Sequence, residues 1–122
     1  MRARLKSIAS DDIDDLARWR PPEPDAFAVP LTLSVGPLGL RGKETFELLA
    51  VTPRWLLARH GKEGAVLGRG LLLVFEWDFA RIKAFLAKKV EACSAPTWPE
   101  LAKKVERIAE WEGDGENVVG LR

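Results

Sequence analysis

Phe27, Val29, Leu31, Leu33 and Val35 alternate with Ala28, Pro30, Thr32 and Ser34. This period-two pattern predicts a strand with one buried face. Pro30 has no N–H for a ladder, so the strand is expected at an edge or bulged at that residue. PLGLRG at 37–42 reads as a turn and KETFELLAVT at 43–52 as the returning strand, which together predict a hairpin. Upstream, RARLKSIA at 2–9 alternates more loosely and predicts a strand with one wet face. SDDIDDLARWRPPEPDA follows. Ser10 as a cap, with Asp11 and Asp12 behind it, suggests a helical turn over 11–18. Pro21, Pro22 and Pro24 then make 19–26 a loop.

Downstream the period lengthens. TPRWLLARHG predicts a short helix with Thr52 as cap, Pro53 in the first position and Gly61 as terminator. GLLLVFE at 70–76 is continuously apolar, as in a strand covered on at least one face. Asp78 caps a helix whose stripe is Phe79, Ile82, Leu86, Val90 and Cys93. Thr97 and Glu100 fit a capping box with Pro99 in the first turn. Trp98, Leu101, Val105, Ile108 and Ala109 continue it as a second stripe, which predicts a helix over 98–111. Trp98 and Trp55 are both expected in the core. Strands followed mostly by helices predict an α+β fold: a two-layer domain with an antiparallel sheet of about four strands and helices packed on one face.

Length and composition narrow the class. A chain of 122 residues is expected to form a single domain, 1–122. With 47% hydrophobic and 30% charged residues it is neither disordered nor membrane-like. A formal net charge of +1 gives no general attraction for nucleic acid. The basic residues are dispersed, and Glu91, Glu100 and Glu106 interleave with those on the polar faces of the two predicted helices. LLLVF at 71–75 is too short to span a bilayer, and MRARLKSIASDD lacks the apolar segment of a signal peptide. The single cysteine excludes an internal disulfide and suits a reducing compartment. The expectation is a cytoplasmic protein with no membrane and no nucleic-acid partner.

Motifs for catalysis are weak. His60 is the only histidine, so no histidine pair exists to hold a metal, and no cofactor is implied. Cys93 falls on an apolar stripe, where an inert thiol is the usual reading. Gly36, Gly39 and Gly42 match no phosphate-binding spacing and read as turn residues. Glu76 and Asp78 give a weak signal for acid–base work, since two such residues at a strand-to-helix junction are more often a cap and a wet edge. More distinctive is RIAEWEGDGEN at 107–117, where Glu110, Glu112, Asp114 and Glu116 surround Trp111 with no basic residue among them. Five tryptophans and no tyrosine add to the picture. Trp19, Trp77 and Trp111 stand at segment ends beside charges, placed either for the core or for a partner.

Four stretches taken in order resemble one family. They are RARLKSIASDDIDDLARWRPPEPDAF, VGPLGLRGKETFELLAVTPRWLLARHG, GRGLLLVFEWDFARIKAFLAKKVEAC and TWPELAKKVERIAEWE. Their order and spacing resemble the immunity protein 8 family of bacterial polymorphic toxin systems. This hairpin is poorer in acid than the family's, and the ending Trp-Glu-Gly-Asp-Gly-Glu differs from the family's Trp-Glu-Phe-Glu. The resemblance implies a cytoplasmic, non-enzymatic α+β protein that neutralises a cognate toxin domain, often a nuclease, by binding it. Matching positions are Trp55, Glu76, Asp78, Trp111 and Glu112. With Asp114 and Glu116 added, the expected partner-binding residues are Glu76, Asp78, Trp111, Glu112, Asp114 and Glu116. An anionic face suits an electropositive nuclease site, and Leu38 and Leu40 at the hairpin tip are a second candidate contact. The alternatives are a stand-alone adaptor for another protein, or a small metal-dependent hydrolase using Glu76 and Asp78.

Overall fold

A computed structural model describes residues 1–112. The elements are β1 (Ala3–Ala9), β2 (Ala28–Pro37), β3 (Glu44–Val51), α1 (Pro53–His60), β4 (Leu71–Leu73), α2 (Phe79–Glu91), α3 (Trp98–Val105) and β5 (Glu110–Trp111). The expected α+β class holds. One sheet runs in the order β1-β2-β3-β4, and β5 also pairs with β3. The side chains of α2 and α3 share one core cluster with the inward residues of β1, β2 and β3. Every described strand pairing is antiparallel except β3 with β4, which is parallel because α1 and the loop after it return the chain to the start of that edge.

The period-two pattern of β2 sets the inner face. Register pairs Val29 with Ala50, Leu31 with Leu48 and Leu33 with Phe46, all six buried. β2 is nevertheless an interior strand, contrary to the edge position expected from Pro30. The neighbour β1 ends at the Ala9–Thr32 pair, short of Pro30. Pro30 faces Leu49, whose N–H donates away from β2 to Gly70 O at 2.8 Å. The proline nitrogen therefore points toward the side where β1 is already absent, and no ladder bond is lost.

β1 shifts register between Leu5 and Ser7, which takes Lys6 out of the ladder. The Lys6 ammonium donates to Leu40 O at 2.9 Å and to Gly42 O at 2.8 Å, folding the hairpin loop 38–43 over β1. Gly36 is consequently not a turn residue. It is a buried strand residue on which a Cβ would lie 2.1 Å from Gly42 O.

Three expectations hold only in part. The helical turn expected over 11–18 is limited to its end, where Trp19 N donates to Asp15 O at 3.0 Å and Asp15 Oδ1 caps the turn by accepting from Arg18 N. Upstream, Ser10 Oγ accepts from Asp12 N and no helix forms. Gly61 is the C-cap of α1 as expected, but it stays right-handed and opens a 3-10 turn, which Gly64 at φ +78° ends. The last helix stops at Val105 instead of continuing to 111, and Glu110 and Trp111 become β5. Two interactions favour that break. Glu106 is buried between Arg69 at 3.2 Å and Lys103 at 3.4 Å, and the Trp111 ring stacks on buried Phe46 at 6.2 Å. Tertiary packing of this kind outweighs helix propensity, which favours Ala over its neighbours by only tenths of a kcal/mol, up to about 0.7.

Candidate functional site

Thr52 closes the sheet and opens α1. Its hydroxyl accepts from Phe27 N at 3.2 Å and from Trp55 N at 3.3 Å, and the residue is buried. Beyond that cap, α1 buries none of its residues. Trp55 is half-buried, outside the core expected for it, with the Arg59 guanidinium 5.9 Å from its ring centroid and His60 against its edge. Leu57 and Leu67 are exposed. The apolar run at 71–75 gives only a three-residue strand, and Val74 is the one buried residue among them.

At the end of that strand the chain turns into α2. Trp77 is drawn inward: its indole N–H donates to Leu16 O at 3.0 Å, and its ring meets Trp19, Phe27 and Phe79. Phe75, two residues earlier, points outward and is 79% exposed. Across from it on α2 stands Phe85, 50% exposed, with Lys89 over its ring. Between them lies a groove of about 450 Å³, lined by Leu73, Phe75, Phe85 and Ile82 and bounded by Glu76, Asp78 and Arg81. Glu76 pairs with Arg81 at 3.2 Å, and Asp78 Oδ1 accepts from Arg81 N to cap α2. The pair is solvated on both sides and contributes little to stability.

The six residues singled out from the sequence are not gathered in one place. Glu76 and Asp78 border the groove. Trp111 lies farther back along the same side of β3, opposite Phe46, while β4 lies opposite Leu49 to Val51. Four residue steps along β3 separate the Glu47–Glu110 pair from the Val51–Leu73 pair, about 13 Å, and Glu76 and Asp78 follow Leu73 in the chain. Trp111 is half-buried against the core, and its indole N–H finds no hydrogen-bond partner among the described residues. Glu112 is exposed. Asp114 and Glu116 lie outside the described residues. Leu38 and Leu40 are exposed at the hairpin tip, as the sequence suggested.

The structure adds Leu73, Phe75 and Phe85, which sequence reasoning left out. LLLVF read as covered strand, and Phe85 lies off the stripe of its helix. The usable signal was that Phe85 falls beside polar Lys88 and Lys89 on the outer side. No group of three or more His, Cys, Asp or Glu suited to a metal occurs among the described residues. His60 Nδ1 lies 3.2 Å from Glu63. Cys93 donates to Lys89 O at 3.7 Å, and burial raises its thiol pKa above the usual value while nearby Lys104 and Arg107 pull it down. No described helix is long and apolar enough to cross a membrane.

Comparison with known proteins gives a match at the level of family. The family model described as Immunity protein 8 matches residues 3–115. Neither the curated proteins nor the solved structures contain a match.

Proposed function

Because this chain belongs to the immunity protein 8 family, we propose that it binds the toxin domain encoded beside it and blocks it without catalysing a reaction. The toxin in this reading is a nuclease. A site that holds phosphate is electropositive, and Glu76 and Asp78 can approach it as anions. The groove at the junction of β4 and α2 is the proposed contact. The observation that carries this choice is the pair of outward phenylalanines, Phe75 and Phe85, beside those carboxylates. Aromatic anchors ringed by polar groups are typical of hot spots.

Glu112, with Asp114 and Glu116, is proposed as a second acidic contact. Trp111 serves it as a fixed base, because the indole is stacked on Phe46. Co-expression with the toxin domain of the adjacent gene tests the function directly. Rescue of growth with co-purification of the two proteins is expected. Survival without a complex, or a complex without survival, contradicts blocking by binding. Association should slow as salt rises if carboxylates steer it; a rate indifferent to salt would assign the contact to the apolar groups alone.

A further inference from the structure

The two outer edges of the sheet are treated differently. On β1 the register shift displaces Lys6, Ala3 N donates to Cys93 O at 3.1 Å, and Arg2 bridges to Ser94. A bulge, a lysine and a covering loop are the usual protections against pairing with another chain. β4 is protected only by its three-residue length: it is Leu71, Leu72 and Leu73, with no proline, charge or bulge.

The direction of its backbone groups can be read from its bonds. Gly70 O accepts from Leu49 N, and Val74 N donates to Val51 O at 2.9 Å, so residues 70, 72 and 74 face β3. Residues 71, 73 and 75 face outward. Leu71 N is engaged with Gly68 O at 3.1 Å. The N–H and C=O of Leu73 are therefore presented on the open edge, where no described strand lies beyond β4. Leu73 itself is 53% exposed, and the groove with Phe75 and Phe85 begins there.

We propose that β4 receives an extended segment of the toxin domain as an added strand, an inference that rests on reading the chain as a toxin-binding protein. Leu73 supplies the backbone pair. Phe75 and Phe85 receive alternate apolar side chains of the segment. Glu76 and Asp78, at the downstream end of the edge, receive a basic residue from it. The Glu76–Arg81 pair does not stand in the way, since both side chains are mostly in water and readily re-pair.

The test uses the full chain and the toxin domain of the adjacent gene. Leu73→Pro removes the outward N–H but leaves the bonds of residues 70, 72 and 74 to β3 intact, a placement that edge strands tolerate. Leu73→Ala keeps the N–H and removes the side chain. Leu73→Pro should weaken binding about tenfold or more, with Leu73→Ala closer to wild type. Equal loss in both variants would show that only the side chain matters, and would overturn strand addition. If wild type binds and Leu73→Pro binds as well as wild type, the edge is not used although the immunity function stands. Absence of wild-type binding overturns both. Amide exchange at Leu73 in the wild-type complex covers the case in which Leu73→Pro fails to fold: exchange slowed about tenfold or more supports the proposal, and unchanged exchange overturns it.

Discussion

From Pro53 to Leu73 no side chain is buried, whereas α2 and α3 bury Ile82, Leu86, Val90, Leu101, Ala102 and Val105. Both regions are rich in apolar residues; the first holds Trp55, Leu56, Leu57, Val66, Leu67 and three leucines of β4. They differ in arrangement. The stripes of α2 and α3 recur at helical spacing and close over the sheet, while the apolar residues of 53–73 share no single face. Apolar content alone does not make a core. Where it is left outside beside a carboxylate pair, it is available to another molecule.

The contrast is broken most strongly from the helical side. Leu101→Ala, at a fully buried position, should cost about 2–5 kcal/mol in a urea melt. A loss under about 1 kcal/mol would mean that α3 is not part of the core. Thr52→Val tests the hinge between the two regions. It removes the acceptor for both Phe27 N and Trp55 N and should cost about 1–3 kcal/mol. The same melt showing no change would contradict the two hydrogen bonds accepted by the hydroxyl. Trp111→Ala should cost a similar or smaller amount, about 1–3 kcal/mol, because the ring is half-buried on Phe46. A large loss of toxin binding with unaltered stability would make Trp111 a contact in its own right and not a base for its neighbours.

The smallest effect concerns Cys93. Its raised thiol pKa favours the neutral form in the folded protein, so the associated stability is present below the ordinary thiol pKa and is lost as pH rises above it. Alkylation at pH 8 should be slower in the folded protein than in urea. Equal rates would place the thiol in water.

The legibility of the fold follows the same division. β2, the α2 stripe and the caps Thr52, Asp78 and Thr97 were readable because each rests on a local period or one local bond. What escaped was decided by distant partners. The end of α3 depends on Arg69 meeting Glu106 and on Trp111 meeting Phe46, contacts between residues far apart in sequence. Pro30 was misplaced because its fitness depends on where β1 stops. At the candidate site, Glu76 and Asp78 were visible as a charged junction. Phe75 was hidden inside LLLVF, since an apolar run does not reveal which of its members turns outward.

In the proposed binding mode, the edge formed by β4 and the start of α2 meets the toxin while the helix-backed core only supports it. Calorimetric affinity for the toxin domain of the adjacent gene, compared between wild type and the double variant Phe75→Asp, Phe85→Asp, tests it most directly. Both side chains are exposed, so stability should change by about 0.5 kcal/mol or less per site, while affinity falls about 30-fold or more. Unchanged affinity in the folded double variant would contradict the account.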